Sequence, residues 1–169
     1  AGRLRGAAPR YDRCYVLEKL EPEHEAFVAA RVDALEFLEL EDYPLPVAEQ
    51  TRELLGDGPF SLLVHSGPAE EIAELLDFAG AVRQSEGDDS PLYLVAPELP
   101  GELPSGVHYR DIYPAQPLFA AAQQVFSACG FNIMRQMRPW RGKHRFMPFA
   151  RVLDDQYARA RLARAELDG

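Results

Sequence analysis

The strongest constraint on the fold is a series of short apolar runs that do not alternate with polar residues. They lie at residues 60–65, 92–95 and 125–128, where only Ser61, His65 and Ser127 are polar, and segments with helical spacing separate them. A strand that is apolar on both faces must be covered on both faces, as strands in a parallel sheet are. The pattern predicts an α/β fold: a doubly wound, mainly parallel, Rossmann-like sheet with helices on both faces.

The remaining elements are predicted from periodicity and from turn residues. Shorter strands are expected at residues 107–109 and 145–147. Helices are expected at residues 47–55, 69–78, 117–123 and 154–167. The second helix has its apolar face at Ile72, Leu75, Leu76 and Ala79. The last helix is predicted to place Tyr157, Ala160, Leu162 and Ala163 on its inner side. The proline-rich residues 96–106 are expected to be irregular.

The first part of the chain is less regular. A strand is predicted at residues 13–17, and residues 21–35 are charged enough for a helix or a mobile connector. Residues 37–46 form an extended piece closed by two prolines, which suits a hinge. We therefore expect an N-terminal segment and hinge at residues 1–45, which could be the tail of a missing lobe, and a Rossmann-like domain at residues 46–169. The start at Ala1 leaves open whether this is a portion of a longer polypeptide.

Composition excludes several classes of protein. The 169 residues are 47% hydrophobic and 27% charged, which suits a soluble domain with a core. No apolar run approaches the roughly 18–20 residues that span a bilayer, so any membrane association would be peripheral and through a partner. Cys14 and Cys129 are far apart and form no CxxC pair, which favours a reducing cytoplasm. The net charge of -9 argues against nucleic-acid binding.

Positive charge is concentrated in one segment. Residues 112–153 contain no acidic residue, although 27 of the 169 residues are acidic. Six cations lie in that stretch: Arg135, Arg138, Arg141, Lys143, Arg145 and Arg151. We expect the segment to face an anion. The alternative is a solvated basic surface.

A glycine turn inside the basic segment sharpens this expectation. The strand at residues 125–128 ends at Cys129-Gly130, and Phe131-Asn132 then opens a helix. A strand, a glycine turn and a helix start direct backbone N–H groups at one spot, which is a common cradle for phosphate. The loops at residues 66–68 and 148–151 are expected at the same edge of the sheet. An ordinary βα turn remains the alternative.

Familiar catalytic and metal-binding motifs are absent. The sequence has no GxxxxGK[ST], GxGxxG, HExxH or GxSxG pattern. Its four histidines, His24, His65, His108 and His144, share no ligand spacing, so no metal site is expected. Cys129 is expected to be a buried filler rather than a nucleophile.

Three linked fragments resemble the carboxyl-terminal, donor-binding lobe of GT-B glycosyltransferases, and most nearly family 28. They are residues 129–136, 147–149 and 154–160. The spacing is retained: six positions from Gly130 to Gln136, twelve from Gln136 to Pro148 and seven from Phe149 to Gln156. The resemblance covers roughly residues 58–160 and implies a cytoplasmic hexosyltransferase that binds a nucleotide-diphosphate sugar without a metal or other cofactor.

The resemblance also implies roles for individual residues. Gly130 and Phe131 would present backbone to the diphosphate, beside Asn132 and Arg135. Gln136 would lie at the ribose, Asp155 and Gln156 at the transferred sugar, Ile112 at the nucleobase, and Ser66-Gly67 in the first loop. The sequence departs from the family in three places: Gln136 replaces a carboxylate, Asp155 replaces a glutamine, and the first loop has one glycine where the family has two or three.

Alternatives remain for these residues and for the whole chain. Gln136 could be a helix-surface amide, Asp154-Asp155 a helix cap, and the arginines solvated. In GT-B enzymes the acceptor base usually comes from the amino-terminal lobe, so a missing lobe or a separate acceptor-binding subunit is expected as partner and no catalytic base is assigned here. The rival functions are a non-catalytic module that docks an acidic partner and a sugar-nucleotide epimerase of the same fold.

Overall fold

The computed structural model describes residues 9–42, 55 and 58–167. The chain divides into two compact units, residues 1–44 and 45–169. In the described part of the chain, no helix combines the length and the apolar character needed to cross a membrane. The helix predicted at residues 47–55 lies outside the described residues, apart from Leu55.

The first unit is a βαβ arrangement. Strand β1 spans Tyr11–Val16, helix α1 spans Pro22–Ala29 and strand β2 spans Val32–Phe37. The two strands are parallel, with Arg13 opposite Ala34 and Val16 opposite Phe37.

Strand β2 was not predicted. Its acidic residues give it the appearance of a charged helix or connector, but those acids have partners near the neighbouring strand. Asp33 forms an ion pair with Arg10, and Glu36 forms one with Arg13. A charged side chain on a strand edge is compatible with pairing when an opposite charge lies across from it.

The second unit contains the predicted parallel sheet. Its strands are β3 (Ser61–Val64), β4 (Leu92–Val95), β5 (Val107–Arg110), β6 (Val125–Ala128) and β7 (His144–Met147). All four pairings are parallel, and the order across the sheet is β5-β4-β3-β6-β7. Counted within this unit the order is 3-2-1-4-5, which is the Rossmann arrangement. The predicted fold class is confirmed.

In the described part of this unit, the helices beside the sheet are α2 (Ala69–Glu86), α3 (Phe131–Gln136) and α4 (Gln156–Ala165). Two short 3-10 segments lie at Gln116–Leu118 and Arg138–Lys143. Helix α2 buries Ile72, Leu75 and Ala79, as its spacing predicts. It continues beyond the predicted end to Gly87, whose φ of 68° gives the left-handed conformation that ends many helices.

The core has a layer on each face of the sheet. On one face α2 packs against Leu63, Leu94 and Phe126. On the other face Leu62 and Val125 pack with residues from the β5–β6 connection and with Met137, which follows α3. Burial on both faces explains why these strands lack polar alternation.

Two helix predictions need correction. Residues 117–123 form only a 3-10 turn and irregular structure, because the chain must already be extended where the N–H of Gln123 donates to the carbonyl of Phe60. The last helix begins at Gln156, and Tyr157 is 51% exposed rather than inward-facing. Its buried residues are Gln156, Ala158, Ala160 and Ala163.

Candidate functional site

The candidate site lies at the carboxyl edge of the sheet, between β3 and β6. These strands are neighbours, with Leu63 opposite Phe126. The chain after β3 enters α2 on one face, whereas the chain after β6 enters α3, whose Ile133 packs with the core of the other face. The connections that follow β3 and β6 therefore go to opposite faces of the sheet. Ligands of open α/β sheets bind in the crevice at such a switch point. Ser66-Gly67 and Gly130-Phe131 flank it.

Gly130 occupies the N-cap of α3 in an ordinary extended conformation, with φ of -64° and ψ of 149°. A Cβ placed on it would meet Ile133 Cγ2 at 3.9 Å, with nothing nearer among the described atoms. Neither backbone conformation nor packing therefore requires glycine. An N-cap normally favours Ser, Thr, Asp or Asn, whose side chains accept a helix N–H, and no such cap bond forms here.

Helix α4 is tied to this turn through Arg159. Its Nη1 donates to the carbonyl of Cys129 at 2.6 Å, and its Nη2 donates to Asp154 Oδ1 at 2.7 Å. The same guanidinium lies 5.9 Å from the ring centre of Phe131. The glycine turn and the Asp154–Gln156 segment, which are separate in sequence, therefore meet at one edge.

The two residues that open α4 already have structural partners. Asp155 is the N-cap, and its Oδ1 accepts from the N–H of Ala158 at 2.9 Å. Gln156 is 4% exposed, and its Oε1 accepts from the N–H of Phe149 at 3.1 Å. The cap that the sequence left as an alternative is present, and Gln156 fixes the end of β7 to α4.

The other predicted site residues lie in the connections after β3 and β5 and along α3. Ser66 and Asn132 are exposed, whereas Phe131, Arg135 and Gln136 are half-buried on α3. Ile112, which follows β5, packs on the core cluster that also contacts Val64 and Ile133. Gln136 is the last residue of α3, at the opposite end of that helix from Gly130.

A polar group that sequence reasoning missed lies beneath the first loop. His65 Nε2 and Glu71 Oε2 are 2.9 Å apart, and Arg151 donates to both oxygens of Glu71 at 2.5 Å each. Hydrogen bonding from Arg151 lowers the pKa of Glu71, so the carboxylate is ionised at neutral pH. Burial lowers the pKa of His65. No short motif links these residues, since Glu71 and Arg151 are 80 positions apart.

The basic segment does not present all its charge to one anion. Arg141 donates to the carbonyl of Met134, and Lys143 donates to the carbonyls of Ala120 and Ala122. Arg145 pairs with Glu86, and Arg151 with Glu71. Four of the six cations thus hold the fold together. Only part of the segment's positive charge is therefore left for an anion, since Arg145 and Arg151 pair with acids of α2 and two other cations bind backbone carbonyls.

A buried serine and histidine also lie side by side without forming a nucleophilic site. Arg141 donates to His144 Nδ1 at 3.0 Å, so Nε2 carries the proton that His144 donates to Ser127 Oγ at 2.8 Å. Ser127 in turn donates to the carbonyl of Ala128. Burial, with Arg141 and Arg145 nearby, lowers the pKa of His144 to about 3. Both side chains are shielded, and the imidazole is a poor base.

Thiol and metal chemistry find little support in the described residues. Cys129 is fully buried, and burial raises the pKa of its thiol to about 12, which makes it the inert filler that was expected. No group of three or more His, Cys, Asp or Glu side chains capable of holding a metal ion occurs in the part of the chain that the structure describes.

Comparison with known proteins supports the architecture. No family model matches the chain, and no curated protein sequence matches it. Among solved structures it is similar to the crystal structure of the glycosyltransferase SnogD from Streptomyces nogalater, with a TM-score of 0.54 and 17% identity. The match covers 90% of this chain and 42% of that one, so the chain spans less than half the length of this structural relative. The fold is that of a glycosyltransferase-like, Rossmann-type lobe.

Proposed function

We propose that the second unit is the donor-binding lobe of a glycosyltransferase that uses a nucleotide-diphosphate sugar. The finer likeness to family 28 is part of this proposal and rests on the spacing of the three linked fragments. A second lobe or subunit would supply the acceptor and its base. We infer that the protein works in the cytoplasm, consistent with the free thiols of Cys14 and Cys129.

The observation that carries the proposal is Gly130, a glycine that the fold itself does not need. Its φ is accessible to any residue, and a Cβ would fit without strain. A glycine is useful at such a place when another molecule must approach the backbone closely. Helix α3 has only six residues, so the proposal relies on this open backbone and on its position at the switch point rather than on a helix dipole.

The contacts around Gly130 support the same conclusion. Arg159 connects the turn to Asp154, and Gln156 connects α4 to the end of β7. The fragments whose linked spacing resembles the donor lobe therefore meet at one edge of the sheet. Similarity to a glycosyltransferase fold agrees with this assignment.

The proposed donor lies across the carboxyl edge. Its diphosphate contacts the backbone of Gly130 and Phe131, with Ser66-Gly67 on the other side of the crevice. The remaining assignments are Ile112 at the base, Gln136 at the ribose, Asn132 and Arg135 near the phosphates, and Asp155 with Gln156 at the sugar. Because Gln156 Oε1 accepts a hydrogen bond from the Phe149 N–H, we assign the side-chain NH2 of Gln156 as the donor to a sugar hydroxyl.

Transfer in this scheme forms a bond between the sugar and an acceptor oxygen as the bond to the diphosphate breaks. The lobe described here binds the donor and stabilises the negative charge of the departing diphosphate, without a metal. The acceptor proton goes to a base outside this lobe.

Titration of the full 169-residue chain with a panel of nucleoside diphosphates tests the proposal. Saturable, base-selective binding is expected. Gly130→Trp should abolish binding because the indole occupies the diphosphate position, and Gln156→Ala should weaken binding of a nucleotide sugar. Gly142→Ala is the control, since Gly142 is an exposed glycine in the same basic segment and its Cβ would meet no described atom within 4 Å.

Two results would oppose the proposal. Absence of binding to every nucleotide would favour a docking module, and undiminished binding by Gly130→Trp would move the site elsewhere. If binding is found, product analysis with an acceptor-lobe partner separates glycosyl transfer from epimerisation.

A further inference from the structure

A three-residue cluster of His65, Glu71 and Arg151 joins the loops on either side of the Gly130 turn. His65 follows β3, Glu71 lies in the first turn of α2, and Arg151 follows β7. Because β3 and β7 are the two neighbours of β6, the cluster links both strands that flank the strand leading to Gly130. Glu71 is its centre, since both other members contact that carboxylate.

The geometry of the cluster is well defined. The side chains of His65 and Glu71 are 8% and 12% exposed, and that of Arg151 is 33% exposed. The guanidinium contacts both carboxylate oxygens, and a two-point contact of this kind fixes direction as well as distance. Phe149 packs nearby, with its ring centre 5.9 Å from that of His65 and 5.9 Å from the guanidinium carbon of Arg151.

The first loop lies directly on this cluster. A Cβ on Gly67 would lie 2.3 Å from His65 Nε2 and 2.9 Å from Glu71 Oε2. The backbone at Gly67 therefore lies directly against the hydrogen-bonded pair, which leaves no room for a side chain between them. Glycine is needed here by packing, in contrast to Gly130.

We propose that Glu71 is a positioning residue of the donor site, which acts through His65 and Arg151 to hold the Ser66-Gly67 loop and the β7 loop in place on both sides of the Gly130 turn. The inference rests on the proposed function and extends it to residues that do not themselves contact the donor. Phe149 transmits the constraint to Gln156, because the Phe149 N–H is held by the Gln156 side chain.

The chain contains a matched ion pair at the opposite edge of the sheet. Asp88 accepts from Arg83 at 3.0 Å, with both side chains 14% exposed, and also accepts from Ser61. Asp88 follows the end of α2, and Ser61 begins β3, so this pair lies at the amino edge. Its loss should reduce stability as the loss of the Glu71 pairs does, but it should leave the donor edge in place.

The experiment measures the affinity of the full chain for the nucleoside diphosphate that binds best, together with thermal stability. Glu71→Ala is expected to weaken binding by about tenfold, the lower end of what losing an orienting partner costs around metal sites. Glu71→Gln should recover part of that loss, since its amide oxygen can still accept from His65 or Arg151. Asp88→Ala should lower Tm and leave the affinity unchanged.

Arg151→Ala provides a second variant if Glu71→Ala does not fold, because the Arg151 side chain is more exposed. Wild-type affinity in folded Glu71→Ala or Arg151→Ala overturns the inference while the proposed function stands. Equal weakening by Asp88→Ala also overturns it, since general destabilisation then explains the effect. If the wild-type chain binds no nucleoside diphosphate, both the proposed function and this inference fail.

Discussion

Mild acidification should destabilise the second unit because His144 is buried as a neutral imidazole. The histidine is 2% exposed, and its pKa is lowered from 6.5 to about 3 by burial and by two nearby arginines. Below pH 6.5 the unfolded chain binds a proton at this position, whereas the folded chain does not bind it until about pH 3. Stability is therefore fully present above pH 6.5 and is lost as the pH falls towards 3.

The magnitude follows from the width of the titration window. Each pH unit between the two pKa values lowers the free energy of unfolding by about 1.4 kcal/mol. Lowering the pH from 7.5 to 5.0 covers about 1.5 units below 6.5, so His144 alone lowers the free energy of unfolding by about 2 kcal/mol. His144→Gln removes the titrating group. The free energy of unfolding of that variant should fall by about 2 kcal/mol less than that of the wild type over the same interval.

Urea unfolding at pH 7.5 and 5.0 measures this difference. Trp140 is the single tryptophan and packs on the core of the second unit, so its fluorescence reports the unfolding of that unit. Burial also lowers the pKa of His65, but that residue titrates in both proteins and cancels in the comparison. Equal losses of stability on acidification in wild type and His144→Gln would refute the assigned pKa and the buried hydrogen-bond chain.

The remaining predictions concern two glycines and one amide. Gly80→Ala should stabilise the protein by about 0.5–1 kcal/mol, because Gly80 lies inside α2 and a Cβ there would meet no described atom within 4 Å. Gly67→Ala should destabilise it by about 1–3 kcal/mol, since the methyl group would strike His65; thermal melts in which the two alanines shift Tm in the same direction would contradict this reasoning. Gln156→Ala should cost about 1–3 kcal/mol because the buried N–H of Phe149 loses its acceptor, and an unchanged urea midpoint would exclude that hydrogen bond as a stabilising contact.

The parallel sheet was predictable because the strands carry their own evidence. Residues 61–64, 92–95 and 125–128 are apolar apart from Ser61 and Ser127, and all of them but Val64 are buried. The carboxyl edge of the sheet could also be identified as the place of the candidate site, because the glycine-containing loops that follow parallel strands all lie at that edge. Strand β2 was missed because Asp33 and Glu36 break its apolar pattern, and their pairing cations are remote in sequence or on β1.

The candidate site was predictable only in outline. Gly130 and the opening of α4 were placed at one edge by motif spacing, but the contacts that join them run through Arg159 and Phe149, to which no role had been assigned. The cluster beneath Gly67 gave no sequence signal, since His65, Glu71 and Arg151 belong to three different elements. Only the packing of α2 against the sheet brings them together.

The amino-acid sequence by itself determined the alternation of strand and helix, because apolar runs and turn residues are local properties of the chain. It also determined that residues 112–153 lack acids. What those cations do was decided by tertiary structure: Arg145 and Arg151 find their carboxylates on α2, 59 and 80 positions away. Electrostatic pairing depends on distance in space, and the composition of one segment carries no information about the charges that folding brings beside it.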